Sequence, residues 1–420
     1  MDELVIREYY DEETLQCHQL NVHAFHCPNK DLDPADPEKA LRFAVEADRK
    51  RQAQSIGDVK FRRVGAFYGD RLAANIFSVP FLMNFDGHTV AAGDVGDVCS
   101  EPELRRGGAV RKIFMKLHEL MYEDGVVVGH LDPFIANFYR KFGYEAANER
   151  VFWTVPTEYL PQYSGTGIRR YVGTEEQKAD IRKVFAGWMK GINMAPVLTE
   201  QQWQKWYDAH APYVTDYYGY LHYGADGEPD GFFCYQTLYD GPQPMAVDCG
   251  TGAFWYTCPA GLMGILGYAA GMKDYARELR VCLPSSGDLT PVIEITGGWG
   301  RKLITRRTVI NGTTRFINAQ KALELAAYRG SGKVCIGLED PTCPWNTGNW
   351  TVEFEDGKAV SVKKAGTPDI RLTEKAFGPL LLGRGGLARA EYHPGTVIHG
   401  DRKELEKVFY EKTVFAQCHY

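Results

Sequence analysis

One segment, residues 95–125, constrains this chain more than any other. Val95-Gly96-Asp97-Val98 reads as a short strand, and Cys99-Ser100-Glu101-Pro102-Glu103-Leu104 leads away from it. Arg105-Arg106-Gly107-Gly108-Ala109-Val110-Arg111 then opens a helix. That helix carries Val110, Ile113, Phe114, Leu117, Leu120 and Met121 at the spacing of a buried stripe and stops at Gly125. A strand feeding a glycine-containing basic loop at a helix start predicts an anion site. The free N–H groups of the first turn point at the ligand, and the helix dipole favours negative charge there. Glycines let the backbone come close, and Arg105, Arg106 and Arg111 can neutralise a pyrophosphate. No Gly-Lys-Ser/Thr follows and no G-x-G-x-x-G is present, so neither a Walker loop nor a dinucleotide fingerprint is read here. Taken alone, the loop is equally a solvated basic helix start.

A second motif stands one strand downstream. Val126-Val127-Val128-Gly129-His130-Leu131 reads as that strand, and Phe134-Ile135-Ala136-Asn137-Phe138-Tyr139-Arg140-Lys141-Phe142-Gly143-Tyr144-Glu145 follows. Pro-Glu-x-Arg-Arg-x-Gly after a strand resembles the acetyl-CoA loop of the GNAT acetyltransferases, whose pattern is Gln/Arg-x-x-Gly-x-Gly/Ala. Arg105 and Gly108 match its first and fourth positions. Val110 stands at the sixth, and a bulky residue there is similar to the enhanced-intracellular-survival (Eis) acetyltransferases. The downstream segment resembles the GNAT ending Phe-Tyr-x-x-Phe-Gly-Tyr. The resemblance implies acetyl-CoA as cosubstrate, held by Val98, Cys99, Ser100, Arg105, Arg106, Gly107, Gly108, Ala109, Val110, Arg111 and Asn137.

Patterning divides the chain in three. The first stretch, 1–150, alternates strands such as 63–68 with helical segments and reads as α/β. The second, 151–300, is rich in Tyr and Trp and contains a hairpin, Tyr217 to Tyr223 with Phe232 to Leu238. The third, 301–420, holds the clearest hairpin, in which Trp350, Val352 and Phe354 alternate with polar residues before Asp356-Gly357 turns into Val360 and Val362. By resemblance the fold class is α/β (α+β): a catalytic GNAT domain, a degenerate GNAT-like domain and a sterol-carrier-like domain. The middle stretch has an analogous helix from Pro259 but no arginine loop before it, so no CoA is expected there.

Amide formation needs a neutral amine, a donor for the developing oxyanion and an acid for the departing thiolate. Backbone groups of Val98, Cys99 and Ser100 are the natural clamp for the pantetheine arm, with the N–H near Val98 as oxyanion donor. The resemblance makes Tyr139 the general acid. A phenol at pKa ~10 gives its proton mildly uphill to a thiolate whose acid has pKa ~8.5. The tail Val414-Phe415-Ala416-Gln417-Cys418-His419-Tyr420 is largely apolar, which predicts docking. In Eis-like enzymes the terminal carboxylate is the general base, so Tyr420 is the expected base. Such a carboxylate, with pKa ~3.5, needs burial or an already neutral amine. Phe25, His26, Phe81, Phe85 and His419 are candidates for the amine pocket. Mycobacterial relatives acetylate aminoglycosides and carry an acidic group beside the terminus; His419 stands there, which attracts polycations less well.

Composition narrows the partners. The 420 residues carry 48 basic and 54 acidic side chains, a formal net charge of -6, which argues against a general nucleic-acid binder. The longest apolar run, Ala260 to Met272, is too short and glycine-rich to span a bilayer, and the start has no basic n-region. Ten scattered cysteines without a C-x-x-C pair point to reduced thiols, a cytoplasmic location and no metal; His23 and His26 have no further ligands in view. By resemblance the protein is a homo-oligomer, a hexamer. The rival expectation is a non-catalytic lipid- or small-molecule-binding protein with a vestigial GNAT domain, against which the intact Arg105–Gly108 loop and Tyr139 argue.

Overall fold

The computed structural model describes residues 3–162, 167–240, 243–294, 303–310 and 312–416. Two compact units emerge, one joining residues 1–148 to 311–412, the other comprising 149–310 and the tail from 413. In the first unit β1 (Leu4–Glu8), α1 (Thr14–Phe25), α2 (Pro37–Gln52), β2 (Arg62–Tyr68), β3 (Arg71–Phe85), β4 (His88–Ser100), α3 (Ala109–Glu123), β5 (Val128–Leu131) and β6 (Glu145–Ala146) follow in chain order. The sheet runs β1-β2-β3-β4-β5, continues with Thr313–Phe316 and ends at β6. Pairing is antiparallel except between β4 and β5, which run parallel.

β3 is buried on both faces over Leu72–Ser78, the near-continuous apolar reading expected where helices cover both sides of a sheet. It turns into β4 through Asp86 and Gly87, both left-handed (φ 49° and 89°), as a two-residue hairpin turn requires. α3 lays Ile113, Phe114, Leu117 and Met121 on Val64, Ala66, Ile76 and Val95, so the stripe read from the sequence is the buried one. α1 covers the other face, with Cys17 and Leu20 against Tyr9, Phe67, Leu72 and Cys99.

Residues 311–412 complete this unit. Strands Lys358–Lys364, Gly348–Glu355, Gly332–Glu339, Ile370–Thr373 and Val397–Ile398 form a separate sheet in that order. The Trp350–Val362 hairpin is as the alternation predicts, Val352 opposite Val362. The helix Glu374–Leu382 packs Phe377 edge-on against Phe316 (5.5 Å), whose strand lies in the first sheet. A buried ion pair, Lys412 Nζ to Asp86 (2.6 Å), ties the end of this region to the β3–β4 turn.

The second unit is a seven-stranded sheet, in order Thr305–Ile310, Glu149–Pro156, Glu278–Pro284, Gln243–Tyr256, Pro229–Asp240, Tyr218–Tyr223, Ile168–Arg170. The sequence-predicted hairpin is present, with Tyr218 opposite Tyr235. The tail docks on this unit: Val414 bridges to Asn193, and Phe415 is buried edge-on against Trp188. Among the described residues no helix is long and apolar enough to cross a membrane.

Candidate active site

β4 outlasts its parallel partner. Its ladder with β5 covers Ala92–Asp94 against Val128–His130 only, which leaves residues 95–100 without a β5 neighbour. On the β3 side the register slips between Asn75 and Phe77, opposite Cys99 and Gly96, so β4 bulges at Asp97 and Val98. Side-chain faces record the extra residue. Val95 and Val98, three apart, both pack against the α3 core, whereas Cys99 packs on the α1 side. Asp97 is left-handed (φ 49°), an uncommon state for a residue with a Cβ. Hydrogen bonds offset its cost: Asn21 Nδ2 (2.8 Å) and Arg51 (3.1 Å) donate to its carboxylate, and Asn75 Nδ2 donates to its carbonyl (3.0 Å). The parted strand edge therefore exposes fixed backbone donors and acceptors along Val95–Ser100.

The basic loop sits where β4 ends. Arg106 and Gly108 are both left-handed (φ 71° and 77°), and Gly108 is the N-cap of α3 with no side chain capping the first turn. Orphan N–H groups at the start of this 15-residue helix are thus open to an anion. Arg105, Arg106 and Arg111 are exposed and form no ion pair among the described residues, so their charge is unspent. These residues fit a pyrophosphate.

Tyr139 ends the short helix Ala136–Tyr139, and the chain turns back through Gly143 (φ 81°). Phe142 stacks on Phe114 of α3 at 4.0 Å, and Tyr139 meets Phe114 edge-on at 6.3 Å. Val98, Val110, Phe138 and Tyr139 all border the same core cluster, so the bulge, the loop and the tyrosine converge. Burial, then the nearby Cys99, raises the Tyr139 pKa and keeps the phenol protonated. Buried Arg315 braces the turn from the strand Thr313–Phe316, donating to the Phe142 carbonyl, Thr342 Oγ1 and Asp340 (2.6 Å).

Other candidates are more dispersed. Asn137 is exposed on the Tyr139 helix. Phe25 and His26 lie at the exposed end of α1, beside a cleft of about 770 Å³ lined by His23, Lys30, Asp33, Arg71 and Glu101 but by neither Tyr139 nor the loop arginines. Phe81 is buried beside His130 (6.4 Å between rings), and Phe85 is buried against Phe316 at 5.4 Å. His419 and Tyr420 lie outside the described residues.

One group escaped the sequence reading. Asp94 is directly opposite His130 in the β4–β5 ladder, on the face away from α3, and accepts no hydrogen bond among the described residues. Burial and the charge of Asp132 push its carboxyl up to about 7. The available signal was an acid at the end of the short apolar run Val90–Gly93, just before Val95.

Comparison with known proteins decides the class. The family description "Acetyltransferase (GNAT) domain" matches residues 5–147. The first part of this chain is a GNAT acetyltransferase domain. A sterol carrier protein domain follows at residues 319–415. Three solved structures share the whole fold. They are a probable N-acyltransferase from Enterococcus faecalis (18% identity, 99% of each chain, TM-score 0.77), a GCN5-related N-acetyltransferase from Kribbella flavida (16%, 100% and 99%, 0.75) and Eis1 from Mycobacterium abscessus (15%, 99% and 100%, 0.74). No curated protein matches the chain. The GNAT domain implies use of acetyl-CoA, and the anion-ready loop and parted strand edge are the features such a substrate requires.

Proposed function

We propose that the protein transfers acetyl from acetyl-CoA to a primary amine of a small cationic molecule or a lysine side chain. Tyr139 is the general acid and the carboxylate of Tyr420 a base for the amine nitrogen. One observation carries the reading: the bulge at Asp97–Val98, the uncapped α3 start and the protonated Tyr139 border one core cluster. Residues 95–100 bind the pantetheine arm, the loop arginines take the pyrophosphate, and the Val98 N–H faces the carbonyl oxygen where negative charge develops. Tyr139 gives its proton to the leaving sulfur.

His419, in place of an acid, disfavours polycationic aminoglycosides and favours amines with fewer charges. A cytoplasmic location, from the scattered cysteines, and, by likeness to Eis-type enzymes, a homohexameric assembly and three domains at 1–150, 151–300 and 301–420 complete the proposal. Release of free CoA thiol, measured over aminoglycosides, lysine peptides, polyamines and arylamines, tests it. Turnover that falls in Tyr139→Phe and in a chain extended beyond Tyr420 is the expected result. Unchanged turnover in the extended chain removes the terminal base, and acetyl-CoA binding without turnover of any amine removes the substrate class.

A further inference from the structure

Residues 211–223 hold five tyrosines in thirteen positions, and only Tyr223 among them is buried. Tyr213, Tyr217, Tyr218 and Tyr220 keep their rings within reach of water, where an aromatic face is a contact surface for a ligand. Together with Tyr171 and Arg170 they line a pocket of about 390 Å³ within the second unit. We infer that this pocket binds a small aromatic carboxylate, with its ring between the tyrosines and its carboxylate on Arg170.

The walls are set before a ligand arrives. Tyr218 and Tyr220 share one face of the strand Tyr218–Tyr223 and are backed by further rings, Tyr218 by Tyr235 (5.6 Å) and Tyr220 by Tyr268 (4.3 Å). Tyr217 lies against His210 (4.3 Å), which itself stacks on Trp206 (4.2 Å). Gly219 lets Tyr171 come close at the floor. The Tyr171 N–H donates to the Gly219 carbonyl (2.8 Å), and a Cβ at Gly219 would meet the Tyr171 side chain at 3.0 Å. The rim carries strain. Tyr213 is left-handed (φ 70°), a state that a residue with a Cβ rarely adopts, and its ring is 74% exposed, so no burial offsets the cost. The Arg170 guanidinium, on the edge strand Ile168–Arg170, is within hydrogen-bonding reach of the phenols of Tyr213 and Tyr220 and so stands at the mouth.

The lining selects the ligand. Among the described residues around the pocket Arg170 carries the only charge, and none offers a carboxylate or a carboxamide. A cation drawn to the aromatic faces would meet that guanidinium, and the like charges repel. A sugar presents many hydroxyl donors, and a lining without carboxylates or carboxamides leaves most of them without an acceptor. A flat anion meets every feature. Its ring stacks on the tyrosine faces, the guanidinium fork takes both carboxylate oxygens, and phenol hydroxyls donate to the same oxygens. The volume lies near the lower end for ligand pockets and suits one or two rings. All these residues belong to the second unit, so the site stands whether or not acetyl transfer does.

Calorimetric titration of the full chain with benzoate, benzamide and maltotriose, with CoA present to occupy the loop before α3, is the test. Benzoate is expected to bind saturably below about 10 mM and at least about 10-fold more tightly than benzamide, which has the same ring without the charge. Arg170→Gln should bring benzoate down to the affinity of benzamide. Tyr213→Gly removes the ring and the unfavourable φ together. Benzoate binding should therefore fall at least about 5-fold while the Tm is unchanged or raised. A tyrosine with a purely structural role would lower the Tm instead. The proposal is overturned by the absence of saturable benzoate binding, by equal binding of benzoate and benzamide, or by tighter binding of maltotriose. It is equally overturned if either variant binds benzoate as the wild type does, or if Tyr213→Gly lowers the Tm.

Discussion

Asp94→Asn should gain stability relative to the wild type as pH rises. The Asp94 carboxyl titrates near 7 in the folded chain against 3.8 as the reference, so folding favours its protonated form. The sign follows: stability is fully present below pH 3.8 and is lost as pH rises through 7. About two of the three pK units fall between pH 5 and 8, which sets an upper limit of about 3 kcal/mol. Because Asp94 is not wholly buried, screening by solvent reduces this to about half. At 2–4 °C per kcal/mol for a unit of this size, the Tm gap between variant and wild type should widen by about 3–6 °C from pH 5 to 8. Following the change in the gap cancels any constant cost of a buried amide. It also cancels His18, whose pKa burial lowers to about 4 and which acts in the opposite sense between pH 4 and 6.5 in both proteins. Scanning calorimetry across that range is the assay. A gap that stays flat, or narrows with rising pH, refutes the reasoning that the carboxylate is held against its preference.

Three further outcomes are expected. Gly108→Ala forces a Cβ into a left-handed N-cap (φ 77°) and should cost about 1 kcal/mol; the altered loop should raise KM for acetyl-CoA more than it lowers kcat in steady-state kinetics. Phe114→Ala removes the ring stacked on Phe142 and should cost about 3–5 kcal/mol by denaturant unfolding, with turnover lost through the Tyr139 turn. Asp86→Asn leaves Lys412 Nζ buried without its carboxylate and should cost about 3–5 kcal/mol, whereas replacing both partners by apolar residues should cost much less.

What was legible in the sequence was what is local in the sequence. The α3 stripe, the glycines after Arg106 and the Phe-Gly-Tyr ending each lie within one helix or turn, so spacing alone reveals them. The bulge was not legible, because its left-handed Asp97 is held by Asn21 and Arg51, which lie on helices far upstream. Phe85 read equally well as a pocket wall or a core ring; its neighbour Phe316 is more than two hundred residues away and gives no local signal. Asp94 was visible only as an acid after the apolar run Val90–Gly93, and its raised pKa depends on burial and then on Asp132, which lies beyond β5. His419 and Tyr420 lie outside the described residues, so their roles rest on the sequence.

The strand Thr313–Phe316 explains why the acetyltransferase domain is not self-sufficient at its β5 edge. It pairs with β5 through Thr313–Leu131 to Phe316–Val128 and with β6 through Thr313–Ala146, and so occupies an edge that would otherwise present unpaired backbone groups. Arg315 on this strand is fully buried, and its charge is tolerable only because Asp340, Thr342 and the Phe142 carbonyl surround it. Two of those partners belong to the sterol-carrier region and the third to the turn that carries Tyr139. The same residue therefore joins the region after 318 to the turn that carries Tyr139. A turn held by one buried guanidinium and one aromatic stack has few alternative positions, and that rigidity fixes the place of a tyrosine whose phenol burial keeps protonated.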